Sequence, residues 1–233
     1  MHARLIFQLA LITAVGAGCA SNQSDLEPPK AATDMTFFIT RAGPGHGADL
    51  GGLEGADHHC QTLAAAAGSR RSDWKAYLST QATAERPAVN ARDRIGKGPW
   101  RNARGVVVAR TVEELHGQNN INHDTGLDEL GNRVNGREDT PPQHDILTGS
   151  TSDGRAFPPD KDLTCRNYTS RDDGSVQVGH FDRAGPAFNP SGTSWNSSHA
   201  VGGCSQTALQ GRGGAGLLYC FAGSQATRPG RGS

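Results

Sequence analysis

The stretch LGGLEGADHHCQTLAAAAG, residues 50–68, is the most strongly patterned part of the chain. Over Asp57–Ala67 its apolar residues recur at the spacing of a single helix face, which predicts a helix with one buried side. Gly68 follows at the place where a glycine commonly closes a helix in the left-handed conformation. The face expected to be buried consists of Cys60, Leu63, Ala64 and Ala67.

Short strands and helices are predicted on both sides of this helix, which indicates a mixed α+β domain. The predicted strands are Met35–Arg41, Trp74–Thr80, Gly105–Arg110, Asp145–Gly149, Thr164–Tyr168, Ser175–Phe181 and Gly216–Ala222. Short helices are predicted within Asn90–Trp100 and at Thr111–His116. The polar stretch Gln118–His144 is longer than an ordinary connection, so we interpret it as a functional or a locally mobile loop.

The N-terminus has the pattern of an export signal. Met1–Arg4 is basic, Leu5–Val15 is apolar, and small residues then lead to Cys19. This pattern resembles a bacterial lipoprotein signal over residues 1–19, with Cys19 as the lipidated residue. The alternative is an ordinary secretory signal whose cleavage removes Cys19.

The expected organisation follows from that signal. Residues 20–34 are polar and proline-containing, which predicts a flexible tether. Residues 35–222 form the predicted domain and residues 223–233 a disordered tail. Ala20 after the lipidated cysteine favours the outer membrane of a bacterial cell envelope, on its periplasmic or surface face.

Cysteine usage predicts disulfides. If Cys19 carries lipid, four cysteines remain, an even number in an oxidising compartment. Four cysteines allow three pairings, and their spacing does not select one. No Cys-x-x-Cys or Cys/His pair at zinc-site spacing occurs, so we favour two disulfides over a metal centre. The four residues are Cys60, Cys165, Cys204 and Cys220.

Composition and motifs argue against two classes of function. Lys plus Arg equals Asp plus Glu at 23 each, and no basic stripe is present, which excludes a nucleic-acid-binding pattern. No nucleophile elbow or His-Glu-x-x-His motif occurs, so we predict that the protein is not an enzyme. The open alternative is an envelope hydrolase built in space from Ser194, Ser197 and His199 with an aspartate.

The segment Ser194–His199 is the main candidate for ligand binding. Trp195 offers an apolar face on which a sugar can stack, and Asn196 and His199 offer directional hydrogen bonds. The competing interpretation places Trp195 in the core. Asp145, at the start of a predicted strand, completes the set of candidate ligand-binding residues.

Metal binding has weaker support in the sequence. The polar loop supplies candidate calcium ligands with irregular spacing, and a solvated loop is the favoured interpretation. Those candidates are Asp124, Asp128, Glu129 and Asp139. The spacing of His144, His180 and His199 gives no evidence that they converge on zinc, so we interpret them as ordinary hydrogen-bonding histidines. Calcium is thus the one cofactor considered, and no cofactor is predicted with certainty.

The order of motifs resembles the endostatin-like domains. The block Gly51–Cys60, then Leu147–Ser150 before Cys165, and the closing Leu218-Tyr219-Cys220 carry the resemblance, which spans Thr36–Ala222. It implies a C-type lectin-like fold: a twisted antiparallel sheet, two helices and long loops. It also implies nested disulfides, Cys60–Cys220 and Cys165–Cys204. The zinc-binding histidines near the N-terminus of endostatin and the calcium and sugar tripeptides of true C-type lectins have no counterpart here.

These observations predict a lipid-anchored envelope binding protein that recognises a glycan or other surface ligand through its long loops. The alternative is a structural or adhesin-like envelope protein that binds a protein or matrix partner. The sequence does not determine the oligomeric state.

Overall fold

The computed structural model describes residues 34–185 and 190–223. The predicted signal peptide, nearly all of the predicted tether and nearly all of the predicted tail therefore lie outside the described residues. The strands are β1 (Phe37–Ile39), β2 (Trp74–Ala76), β3 (Trp100–Arg101), β4 (Val107–Ala109), β5 (Asp145–Leu147), β6 (Ser175–His180), β7 (His199–Gly202) and β8 (Gly214–Ala222). The helices are α1 (Gly52–Ala66), α2 (Ala91–Arg94), α3 (Val112–His116), α4 (Cys165–Tyr168) and α5 (Gln206–Gln210), with a 3-10 turn at Pro190–Thr193.

The architecture is α+β, built around one twisted sheet in the order β1-β8-β5-β6-β7, with β2 also paired to β8. The first and last described strands pair antiparallel, Phe37 opposite Phe221. The expectation of a purely antiparallel sheet is wrong at one place, because β5 runs parallel to β8. Strands β3 and β4 form a separate small antiparallel pair.

Strand β8 divides the core into two parts, because successive side chains of a strand point to opposite faces. Leu218, Cys220 and Ala222 belong to one apolar cluster, which also contains the buried face of α1. Leu217, Tyr219 and Phe221 belong to the other, which contains Trp100, Trp195 and Tyr77. The sheet is therefore covered on both faces, which explains why β8 is apolar along its whole length.

Helix α1 begins five residues before the predicted start. Gly51 and Gly52 have φ of 71°, a left-handed backbone that turns the chain directly into the helix. A Cβ on Gly55 would lie 1.9 Å from the Leu50 carbonyl oxygen, so the close return of the chain requires glycine there. Cys60 and Ala64 are fully buried, as the periodicity predicts. Gly68 follows the helix with φ of 90°, also as predicted.

Both predicted disulfides are present. Cys60 bonds Cys220 and joins α1 to β8, and Cys165 bonds Cys204 across 39 residues of chain. This is the nested pairing that the resemblance implies. Loop-closure entropy gives about 5 kcal/mol for the outer bridge and about 4 kcal/mol for the inner one.

Several predicted elements differ from the structure. Thr164–Tyr168, predicted as a strand, contains instead the short element α4, a single left-handed turn in which Cys165, Arg166, Asn167 and Tyr168 all have positive φ. The Cys165 disulfide and two bonds from the Asn167 side chain to Gln81 hold this unusual backbone. The family resemblance implied two helices, whereas the described residues contain one long helix and four of four or five residues. Strand β7 and helix α5 were not predicted.

None of the helices in the described part of the chain is long and apolar enough to cross a membrane.

The predicted helix at Thr111–His116 is confirmed as α3, and its Thr111 hydroxyl accepts the Glu114 N–H as a cap. The loop Gln118–His144 is held by side-chain-to-backbone bonds and by a bridge between Leu127 and Arg133. The loop leads directly into β5, which places its last residue, His144, at the end of the sheet.

Candidate metal centre

Three strands bring histidines to one end of the sheet. In the register of β5 and β6, Asp145 lies opposite His180, and in that of β6 and β7, Val178 lies opposite His199. Positions 178 and 180 point to the same face, so His180 and His199 become neighbours. His144 precedes β5 and stacks on His180, with ring centroids 4.1 Å apart. We call His144, Asp145, His180 and His199 the His–Asp cluster.

The Nε2 atoms of all three histidines lie close to the Asp145 carboxylate. His180 Nε2 is 2.9 Å and His144 Nε2 3.4 Å from Oδ1. His199 Nε2 is 3.5 Å from the other oxygen, Oδ2. When two ligand atoms each lie about 2.0–2.2 Å from the same ion, the distance between them depends on the ligand–ion–ligand angle. It is about 2.9 Å for a right angle and about 3.4 Å for the tetrahedral angle. The separations of His180 Nε2 and His144 Nε2 from Asp145 Oδ1 fall in this range.

The Nδ1 atoms of His180 and His144 have hydrogen-bond partners of their own, so each ring turns its Nε2 toward Asp145. His180 Nδ1 lies 2.6 Å from the Gly192 carbonyl oxygen, which can only accept a hydrogen bond. His144 Nδ1 lies 3.1 Å from Asp182 Oδ1. Each Nδ1 therefore carries the proton, and in the neutral imidazole Nε2 offers a lone pair. Histidine ligands of metal ions are oriented by such carbonyl and carboxylate partners.

Asp182 is itself held in place. Its carboxylate accepts the N–H groups of Arg137 at 2.7 Å and Ala184 at 3.0 Å. Arg137 belongs to the polar loop, so this contact joins the loop to the His–Asp cluster through His144. The residues that hold Asp182, and through it His144, thus come from the polar loop and from the segment that follows β6.

The Asp145 carboxylate is a buried charge without a complete set of partners. Asp145 is 2% exposed, and neither of its oxygens nor His180 Nε2 has a hydrogen bond of acceptable geometry. The 2.9 Å approach of His180 is close, but the two atoms are not aligned as donor and acceptor. Buried charges are normally paired and hydrogen-bonded or coordinate metals. A cation between these atoms would satisfy all three.

The pKa values reflect the same cluster. Burial raises the pKa of Asp145, but contacts with His180 and His199 outweigh it and leave the pKa below its ordinary value. The close contact with the Asp145 carboxylate raises the pKa of His199, against the effect of burial. Burial also raises the pKa of Asp182, and its bonds with His144 and two backbone N–H groups bring it below the usual range. These groups therefore interact strongly with one another.

Among the described residues, one group of three or more metal-ligating side chains has atoms within 4.8 Å of one another: His144, Asp145 and His180. The sequence interpretation of these histidines as ordinary hydrogen-bonding residues is therefore incomplete. Asp145 was predicted as a ligand-binding residue, and the structure places it at the centre of this group. His199 lies at its edge, with its side chain 34% exposed.

Trp195 and Asn196 do not form an open sugar site. Trp195 is 3% exposed and packs on Tyr77 and Tyr219, so the core interpretation is the correct one. Asn196 is 1% exposed and donates to the Tyr77 hydroxyl and to the Thr151 carbonyl. Both side chains are part of the buried interior of the domain, and neither exposes a polar or apolar face to a ligand.

The candidate calcium ligands are not brought together. Asp128 accepts bonds from its own turn, including Leu130 N–H, and Glu129 pairs with Arg41. Asp124 pairs with Arg133, and Asp139 lies near His123. Each carboxylate therefore has a different partner, and the loop provides structure rather than one shared site.

The arrangement required for a serine hydrolase is also incomplete. Ser194 Oγ bonds Asn196 and the Ser197 N–H, so it does not approach His199. Ser198 Oγ lies 3.1 Å from His180 Nδ1, but that nitrogen donates its proton to Gly192. It therefore cannot accept the serine proton, as a general base must.

The chain matches no protein-family model and no curated protein sequence.

Proposed function

We propose that this domain binds one divalent transition-metal ion of the zinc class through His144 Nε2, His180 Nε2 and the Asp145 carboxylate. The observation that carries the proposal is the buried Asp145 carboxylate, faced by imidazole nitrogens whose partner nitrogens already donate elsewhere. Two histidines and one carboxylate are a common ligand set for zinc and for non-haem iron.

The ligand set favours a transition metal over calcium. Calcium takes six to eight oxygen ligands, whereas two of the three converging atoms here are imidazole nitrogens. Magnesium similarly prefers oxygen and retains water. Zinc accepts both donor types at about 2.0–2.2 Å, which is consistent with the separations in the cluster.

The wider setting of this function is an envelope binding protein. We propose that Cys19 anchors the chain to the outer membrane and that the domain has a C-type lectin-like, endostatin-like fold. The order of the cysteines, their nested bridges and the pairing of β1 with β8 support that fold. A glycan or a protein of the envelope or matrix is the proposed partner, and the metal centre replaces Trp195 as its proposed binding point.

Titration calorimetry with zinc on the full chain, with both disulfides intact, tests the proposal. We expect one zinc per chain, removed by EDTA, and a loss of at least a hundredfold in affinity in His180→Ala. His58→Ala, an exposed histidine of α1, is the matched control and should bind as the wild type does. Absence of zinc uptake, or equal affinity in both variants, would rule out the site.

A glycan array run with zinc and with EDTA then tests the partner. Signals that need zinc would support recognition through the metal. A blank array in both buffers, with zinc bound, would favour a protein partner.

A further inference from the structure

A cavity of about 680 Å³ lies where the start of α1 meets the loop between β2 and α2 and the left-handed turn α4. A volume of this size is typical of pockets that bind small molecules. None of its lining residues belongs to the His–Asp cluster, so the cavity is a separate feature of the domain. The lining side chains that carry its chemistry are Glu54, Asp57, Arg86, Arg94, Arg166 and Asn167.

The walls of this cavity are fixed to one another. The Leu50 N–H donates to the Tyr168 carbonyl oxygen at 3.0 Å, which joins the start of α1 to the turn. The Asn167 side chain accepts the Gln81 N–H at 2.8 Å and donates to the Gln81 carbonyl oxygen at 3.1 Å, which joins the turn to the loop. Outside its own helix, a Cβ on Gly52 would lie within 4 Å of one atom, the Asn167 carbonyl oxygen at 3.9 Å. The space between the walls is therefore open, and a ligand does not have to order them.

Arg94, in the wall of the cavity, is a mostly buried cation that shares its counter-charge. Its side chain is 13% exposed and lies 2.7 Å from Asp57 Oδ2. The same oxygen lies 2.9 Å from Lys75 Nζ, so one carboxylate compensates two cations. Burial lowers the pKa of Arg94, and the charge of Asp57 opposes this effect. An anion beside Arg94 would supply a counter-charge of its own.

Two further arginines line the cavity from its solvent side. Arg86 and Arg166 are exposed, and neither side chain has a hydrogen-bond or ion-pair partner in the described part of the chain. With Arg94 and with Lys75 behind Asp57, four cations face two carboxylates, Asp57 and Glu54, which leaves two net positive charges. A phosphate monoester carries about the opposite charge at neutral pH, and guanidinium groups bind its oxygens through pairs of N–H donors.

We infer that this cavity binds a small molecule that carries a phosphate group, with the phosphate between Arg94 in the wall and Arg86 and Arg166 at the solvent side. The excess of two positive charges favours a dianion over a single carboxylate. The cavity is larger than one phosphate, so the remainder of the ligand lies against the apolar part of the lining, which includes Leu53 and Val89. The inference is independent of the metal site proposed above.

NMR spectroscopy of the full chain, with both disulfides intact, tests the inference with inorganic phosphate as the probe. EDTA is present throughout, so that phosphate cannot bind through a metal ion, and the ionic strength is held constant. We expect saturable shifts of the Arg94 Nε–H signal and of the Gln81 and Asn167 amides. Acetate, titrated in parallel, should bind about tenfold more weakly, because it carries one charge and has two oxygens.

Substitutions of the exposed arginines identify the contacts without disturbing the core. Arg86→Gln and Arg166→Gln should each weaken phosphate about tenfold, because each removes one charged donor. Arg70→Gln is the matched control, since Arg70 is exposed in the loop between α1 and β2 and does not line the cavity. Phosphate affinity in this variant should equal that of the wild type.

Three results would overturn the inference. They are the absence of saturable shifts around the cavity, shifts that sodium chloride reproduces, and a loss of phosphate affinity in Arg70→Gln as large as in Arg166→Gln. Acetate affinity equal to that for phosphate would overturn the assignment of a phosphate group. The zinc site is tested without phosphate, so failure of either proposal leaves the other standing.

Discussion

Asp57 and Asp145 are both carboxylates with several basic side chains around them, and their surroundings differ. Asp57 on α1 contacts Lys75 at 2.9 Å and Arg94 at 2.7 Å, and accepts the Ala76 N–H at 3.0 Å. Its partners are permanent cations and an amide, so its charge is fully compensated. Asp145 meets only imidazoles, and neither of its oxygens has an aligned hydrogen bond.

This difference distinguishes a structural ion pair from a metal site. Lysine and arginine stay charged and stabilise Asp57 without any further group. The Nδ1–H groups of His144 and His180 donate hydrogen bonds to Asp182 and Gly192, and in the neutral imidazoles the Nε2 lone pairs point toward Asp145. While these imidazoles are neutral, the buried carboxylate has no positively charged partner, and a bound cation would supply one.

Matched substitutions at the two carboxylates give the largest expected difference. In Asp145→Asn, zinc affinity should fall at least a thousandfold, about 4 kcal/mol, because an amide is a poor metal ligand. In Asp57→Asn it should equal that of the wild type. Calorimetry on both variants makes the comparison, and equal losses in the two would remove the distinction.

In the metal-free protein, the free energy of unfolding should fall more in Asp57→Asn than in Asp145→Asn, the reverse of the order expected for zinc affinity. Asp57→Asn leaves Arg94, whose side chain is 13% exposed, without its counter-charge and should cost about 3 kcal/mol in the free energy of unfolding. Asp145→Asn in EDTA should cost less, about 1 kcal/mol, because the loss of the contacts with His180 and His199 is partly offset by removal of a buried charge without aligned hydrogen bonds. Urea unfolding with intact disulfides measures both. A cost for Asp145→Asn as large as that for Asp57→Asn would contradict the difference between the two carboxylates.

The partner of His144 provides a smaller effect. Asp182→Asn should weaken zinc binding by 10- to 100-fold, about 1.4–2.7 kcal/mol, because the His144 ring loses the carboxylate that orients it. Asp139→Asn, in the polar loop but paired elsewhere, is the control. Unchanged zinc affinity in Asp182→Asn would exclude His144 as a ligand.

The smallest expected effect is in the pH dependence. Without metal, His199, whose pKa is raised, stabilises the fold below about pH 6.5, and this contribution is lost as the pH rises. Asp145, whose pKa is lowered, contributes above about pH 4 and loses its contribution as the pH falls. The pair therefore stabilises the metal-free protein most between these two values.

Zinc binding should depend on pH in the opposite direction, because its ligands must be deprotonated. Between pH 6 and 8, stability in EDTA should fall by less than about 1 kcal/mol, since His199 is partly exposed, while zinc affinity rises. His199→Ala should abolish the first trend and keep the second. Parallel trends in EDTA and in zinc would contradict the assignment.

The sequence predicts the parts of the fold that depend on local pattern. The helix around Cys60, the cap at Thr111 and the strands that contain Asp145 and His180 all follow from periodicity or capping residues. The left-handed turn at Cys165 does not, because a disulfide and the Asn167 side chain override the strand preference of its residues.

The proposed metal site could not be predicted from the sequence either, because its residues are far apart along the chain. His144 and His180 are 36 positions apart and fall in no known ligand spacing. Only the register that sets Asp145 opposite His180 brings them together. The signal present in the sequence was a potential ligand at the start of one predicted strand, Asp145, and a second, His180, next to the end of another, but the pairing of these strands was not predicted.

Anomalous diffraction at the zinc absorption edge, on crystals of the zinc-loaded protein, tests the central claim most directly. We predict one peak per chain, within about 2.0–2.2 Å of His144 Nε2, His180 Nε2 and an Asp145 oxygen. No peak at that position, or a peak only at surface histidines such as His58, would contradict the account.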